Sequence, residues 1–152
     1  MMPNSAPVTL KVVLDTNVVV SATLFKSSFL SPLRAAWQDS RISAVVCAET
    51  NAELLRVLAY AKFKLSDAGI AHVLALYLPY ALSHKMKVSA KQKSLLPICR
   101  DAGDQLFLEL AHSAQVDFLV SGDDDLLSLA NDASMQQLSF KIISPAAFMQ
   151  FV

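Results

Sequence analysis

The segment Val12-Val13-Leu14-Asp15-Thr16-Asn17 decides how this chain is read. Three apolar residues end on one carboxylate, and Thr16-Asn17 then supplies turn and capping chemistry. Extended back to Val8, the run to Leu14 is short and rich in β-formers, the pattern of a buried strand. Such a strand needs cover on both faces, and the residues on either side supply it in helical form.

Working outward, Val18 to Phe25 reads as a short helix broken at Lys26-Ser27-Ser28. Ser31-Pro32 fits an N-cap followed by proline at the first helical position, and the helix continues from Leu33 to Asp39. Ile42 to Cys47 is a second strand. Glu49 to Tyr60 is a helix whose apolar stripe holds Leu54, Leu55, Val57 and Leu58. Ser66-Asp67 opens another, reaching toward Leu82 unless Pro79 kinks it or ends it early. A third strand is placed at Lys85 to Val88, and Ser89 to Pro97 is read as loop. Asp104 to Ala114 is helical, Phe118 to Val120 a fourth strand, and Asp125 to Ala130 a short helix. Phe140 to Ile143 is a fifth strand, and Pro145 opens a last helix through Phe148. Strands alternating with helices predict an α/β fold with a parallel sheet covered on both faces. The 152 residues suit one domain, with no repeat or low-complexity tract.

Bulk properties narrow the function. No apolar run reaches the ~18 residues of a membrane span. The start Met1-Met2-Pro3-Asn4-Ser5-Ala6-Pro7 lacks the basic and apolar regions of an export signal, so the expected location is cytoplasmic. Cys47 and Cys99 then read as reduced core thiols, and His72, His84 and His112 show no zinc-binding spacing. With hydrophobic residues at 54%, some apolar surface is expected to be covered in a homodimer or by a partner. The formal net charge is zero, yet residues 1–100 carry 12 of the 13 Lys and Arg and only 5 of the 13 acids. Lys85, Lys87, Lys91, Lys93 and Arg100 fall in a stretch without acids, which fits either a phosphate-binding rim or a solvated loop.

Four acids stand where an α/β fold aims side chains at one point: Asp15 and Asp123 after strands, Glu53 and Asp104 in helical stretches. Carboxylates gathered without basic partners repel, and a hard divalent cation removes that cost. Taken singly, each has a plainer role: Asp15 or Asp104 as a helix cap, Glu53 as a solvent-facing acid. Asp124 and Asp125 suit the positive end of a short helix, and Glu109 is read as a surface acid. Trp37 and the phenylalanines read as core, with stacking on RNA an alternative for Tyr60 and Phe63.

Taken together, these motifs resemble those of PIN-domain nucleases. Leu14-Asp15-Thr16-Asn17 is similar to the opening motif, and Asn51-Ala52-Glu53-Leu54-Leu55-Arg56-Val57-Leu58, followed by Lys62-Phe63, to the second. Arg100-Asp101-Ala102-Gly103-Asp104 with Phe107-Leu108-Glu109-Leu110-Ala111 resembles the third, and Phe118 to Leu127, with Ser121-Gly122-Asp123, the fourth. The likeness spans Val12 to Ile143, and the nearest branch is the VapC-like toxins of toxin-antitoxin pairs. Ala102-Gly103 departs from it, since that branch usually carries a proline and an extra acid there; the departure bears on loop rigidity.

The resemblance implies a three-layer sandwich around a five-stranded parallel sheet in order 3-2-1-4-5, with Mg²⁺ or Mn²⁺ at its carboxyl edge. It also implies endoribonuclease activity on RNA and a small antitoxin as partner. On this basis Asp15 and Asp104 are expected to hold the ion directly, and Asp123 directly or through water. Glu53 takes a water of the ion or completes a second site. Asn17 and Ser121 orient ligands or phosphate, Asp101 supports the loop, and Arg100 binds phosphate or pairs with Asp101. The alternative function is a non-catalytic PIN module for RNA binding or assembly. A response-regulator-like or phosphatase-like domain is disfavoured, because residue 17 is Asn and no acidic pair precedes Val12.

Overall fold

Alternating side chains on short apolar strands divide the interior into two cores. In the computed structural model, which describes residues 9–25 and 27–152, the first strand, β1, is Leu10–Leu14. Val12 and Leu14 enter one core and Val13 the other, as the two-residue period of a strand dictates. The second strand, β2 (Ile42–Val46), does the same, sending Ile42, Ala44 and Val46 one way and Val45 the other. Burial of both faces is why each strand ends in an apolar run, Val12-Val13-Leu14 in β1 and Ala44-Val45-Val46 in β2.

The sheet is parallel throughout and has five strands in order β3-β2-β1-β4-β5, with β3 at Leu82–Ser83, β4 at Phe118–Val120 and β5 at Lys141–Ile143. One face is covered by α1 (Thr16–Leu24), α2 (Ser31–Gln38), α3 (Ala48–Leu58), α4 (Asp67–Tyr77) and, later in the chain, Phe148. The helix α5 (Ala90–Leu95) lies before α6 (Ala102–Ser113), and α6 supplies Phe107, Leu108, Leu110 and Ala111 to the core of the other face. The short helices α7 (Asp124–Leu127) and α8 (Pro145–Phe148) flank β5. Trp37 is buried with its ring 4.9 Å from that of Tyr77, and its Nε1 donates to the Leu76 carbonyl at 2.9 Å, so the indole leaves no polar atom unpaired.

Several boundaries differ from the sequence expectation for physical reasons. Ser31 is the first residue of α2, not its cap, and Pro32 follows inside the first turn, where its missing N–H is harmless. Thr50 closes the start of α3: the Cys47 N–H donates to Thr50 Oγ1 at 2.9 Å. α4 stops at Tyr77, two residues before Pro79, and a single 3₁₀ turn (Leu78–Tyr80) carries the chain to β3. The third strand therefore lies at Leu82–Ser83, paired with Val45 and Val46, and not at Lys85 to Val88. The stretch expected as loop from Ser89 holds α5, started by Ser89 and Gln92, each accepting from the other's backbone N–H. Residues 1–8, with the expected start of β1 at Val8 and the export-signal reading, and Lys26 of the expected break, lie outside the described residues.

Candidate active site

β1 and β4 are neighbours, and the chain winds away from them in opposite directions, to β2 and β3 on one side and β5 on the other. Open α/β sheets bind ligands at such a reversal, beyond the carboxyl ends of the strands. Register places Leu14 opposite Val120, and the Asp15 N–H continues the ladder to the Val120 carbonyl at 3.0 Å. Asp15 and Ser121 thus leave the two strands side by side. Both are buried.

Ser121 ties the acids of this edge together. Its Oγ donates to Asp15 Oδ2 at 2.7 Å and accepts from the Asp123 N–H at 3.0 Å. Asp123 in turn caps α7, its Oδ1 accepting from the Asp125 N–H at 2.7 Å. Asp104 enters from the first turn of α6, which packs across β1 and β4. The cap of α6 is Asp101, one turn before, whose Oδ1 accepts from the Gly103 N–H at 2.8 Å. A Cβ at residue 103 would stand 3.2 Å from that same oxygen, so glycine suits the tight turn.

The electrostatics show carboxylates crowding one another. Burial pushes the Asp15 carboxyl up; bonds from Ser121 and Thr16 oppose this, and Asp123 and Glu53 add to it. Asp104 is pushed up to about 7, first by burial, then by the charges of Asp123, Asp15 and Asp101 and a hydrogen bond shared with Asp123. Its Oδ2 is buried, and among the described residues no donor reaches it. Behind the acids, burial raises the Cys99 thiol, with Asp104, Asp125 and Asp123 adding to the effect.

The structure thus brings Asp15, Ser121, Asp123 and Asp104 to one edge, with the charge of Glu53 felt there. Glu53 is also engaged elsewhere: Arg56, one turn on, grips it with bonds of 2.7, 2.9 and 3.0 Å. Asn17 lies exposed on the first turn of α1. Arg100 is exposed, and the pairing with Asp101 weighed from sequence is not made among the described residues. Two residues not singled out as site residues belong here. Asp125, read as a helix-end acid, brings a carboxylate oxygen within 4.8 Å of those of Asp101 and Asp104. Gln105 accepts from the Cys99 N–H at 2.7 Å and donates to the Pro97 carbonyl at 3.0 Å, fastening the preceding loop to α6. The acidic run Asp123-Asp124-Asp125 was the signal for the first; for Gln105 nothing in the spacing distinguishes it.

The donors fit a hard cation. They are all oxygens, one buried oxygen lacks any partner, and no Lys or Arg pairs with Asp15, Asp104 or Asp123 among the described residues.

Residues 11–125 match the PIN domain family, and the chain belongs to it. PIN domains are generally nucleases. Among solved structures, a chain from the crystal structure of VapBC2 from Rickettsia felis bound to a DNA fragment from their promoter shares the fold with a TM-score of 0.53. The identity is 15%, over 89% of this chain and 98% of that one. No curated protein is significantly similar in sequence.

Proposed function

We propose that this chain, residues 1–152 forming one PIN unit, is a divalent-cation-dependent endoribonuclease and the toxin of a toxin-antitoxin pair. The observation that carries this is the buried Asp104 Oδ2, which no donor reaches among the described residues, on a carboxyl whose proton affinity is raised by burial and by the charges of Asp123, Asp15 and Asp101. A site of this kind is unstable unless protons or a cation occupy it. Asp15, Asp104 and Asp123 would hold Mg²⁺ or Mn²⁺, Asp123 directly or through water, with Asp101 and Asp125 alongside. When bound, the ion supplies charge shielding for the phosphate and lowers the pKa of water.

The protein's own groups do the rest. Ser121 fixes the rotamer of Asp15 and aligns the backbone of Asp123. Asp101 holds the start of α6, and thereby Asp104, in place. Glu53 sets the negative border on the α3 side, partly neutralised by Arg56. Asn17 would orient ligands or the scissile phosphate and Arg100 would bind phosphate, readings that the exposure of both supports.

Likeness to VapBC2 supports a small antitoxin as partner. Exposed Phe29 and Ile98, at 63% and 85%, support a homodimer or covered face, which sedimentation equilibrium resolves. No helix of the described residues is long and apolar enough to cross a membrane, and a cytoplasmic location is part of the proposal.

Incubation of end-labelled RNA with the protein in Mg²⁺, Mn²⁺ or EDTA tests the activity. Cleavage is expected only with metal, and Asp104→Asn and Asp15→Asn are each expected to lower it more than about 100-fold with the fold retained. Metal-independent cleavage, or full activity in both variants, rejects the assignment. Binding without cleavage assigns the non-catalytic module instead.

A further inference from the structure

Beside the acids lies an aromatic and cationic surface that the chemistry above does not use. α3 ends at Leu58, and a 3₁₀ turn, Ala61–Phe63, follows. Lys64 closes that turn in the left-handed region at φ 50°. Tyr60 is 39% exposed at this corner. No acid occurs from residue 54 to 66, while Arg56, Lys62 and Lys64 do. The guanidinium that grips Glu53 also donates from Nη1 to the Tyr60 hydroxyl at 2.6 Å, so the ring is fixed relative to the acidic edge. Lys62 Nζ lies 6.0 Å from the Tyr60 ring centroid and 5.1 Å from that of Phe63. It has no carboxylate partner among the described residues.

We infer that Tyr60 is a stacking platform for one unpaired base of a nucleic-acid strand, with Lys62 taking an adjoining phosphate. This rests on the nuclease reading above and names where its substrate lies. An exposed tyrosine offers a π-face that any base can cover, and a neighbouring cation adds to it. A mobile ammonium resting against aromatic rings can move to a phosphate when a base takes its place. Arg56 acts differently. Its fork is committed to Glu53 and to the Tyr60 hydroxyl, so it positions the platform. Tyr60 lies two residues beyond the end of α3, and Arg56 joins its hydroxyl to Glu53, whose charge reaches Asp15. Through that bridge a nucleotide stacked on Tyr60 can belong to the same strand as a phosphate at the acids.

The test is fluorescence anisotropy with a labelled eight-nucleotide oligoadenylate RNA, in EDTA and again in Ca²⁺, with heparin as a polyanion that cannot stack. Tyr60→Ser and Tyr60→Leu are expected to weaken RNA binding about 5- to 150-fold and leave heparin binding unchanged. Tyr60→Phe, which keeps the ring, stays within about threefold of the parent protein. Lys62→Gln lowers the slope of log affinity against log salt by about 0.7. Thermal melts identify which tyrosine variants are folded, and Tyr60→Leu serves if Tyr60→Ser is not. RNA affinity within twofold of the parent in folded Tyr60→Ser or Tyr60→Leu overturns the assignment. So does equal weakening toward heparin, or no RNA binding by the parent protein in either condition. Cleavage is measured separately: if the parent protein does not cut RNA but the binding differences hold, the nuclease reading fails and the platform stands.

Discussion

One hydroxyl links carboxylates that sequence holds more than a hundred positions apart. Ser121 is buried at the end of β4, and its Oγ is the donor that keeps Asp15 Oδ2 satisfied. The same oxygen accepts from Asp123, so both capacities of the hydroxyl are used inside the site. In Ser121→Ala, Asp15 Oδ2 loses its donor while remaining buried, which costs about 1–3 kcal/mol. Its carboxyl rises further, because the bond that opposes burial is gone. Urea denaturation in EDTA at neutral pH is expected to show that loss, and metal-dependent cleavage is expected to fall about 10- to 100-fold as Asp15 and Asp123 lose their alignment. Stability and activity both equal to the parent would mean that Ser121 only fills space.

α6 shows how an element can depend on one residue that is not itself central to the chemistry. Asp101 accepts from Gly103 at the helix start, and Asp104 sits one turn inside. Asp101→Ala removes the cap and is expected to cost about 1 kcal/mol, whereas Asp101→Asn retains an accepting oxygen and most of that stability. Thermal melts of the two variants decide between cap and ligand: a cap tolerates Asn in melts and in cleavage, while a ligand loses activity with Asn as with Ala. Elements with strong periodic or chemical signals were legible from sequence. β1 ends in the apolar run Val12-Val13-Leu14 next to Asp15, and Phe118–Val120, followed within three residues by Asp123, lies where the sequence places it. β3 leaves no mark in the sequence because two paired residues, both exposed, carry no period at all. α5 was missed because Ala90–Leu95 is exposed all round and has no apolar stripe, although Ser89-Ala90-Lys91-Gln92 spells a capping box. At the site, Asp15 and Asp123 were legible from strand ends. The grip of Arg56 on Glu53 was not, because an i,i+3 spacing permits a pair without saying which other groups compete for it.

For the whole molecule, the acidic edge makes stability depend on protons, and the proposed cation would act on it in the opposite sense. Asp104 holds its proton up to about 7 in the folded chain, against 3.8 as its ordinary value, and Asp15 is raised in the same direction. Between those values the folded state binds more protons than the unfolded one, so stability from these groups falls as pH rises. It is fully present below about pH 4 and lost as pH passes through about 7. A cation held there, as proposed, would compete for the same oxygens and need them deprotonated, so its stabilising effect would grow over that interval. Melting temperatures from pH 4 to 8 are therefore expected to separate progressively between Mn²⁺ and EDTA as pH rises. Asp104→Asn removes the charge that burial and Asp123 oppose, so in EDTA it is expected to match or exceed the parent protein above pH 7 and to show a flatter profile. It is also expected to lose most of the gain from Mn²⁺. A variant whose EDTA profile parallels that of the parent protein, with an unchanged response to Mn²⁺, would place the cation elsewhere on the chain and leave the raised Asp104 carboxyl without a role in holding it.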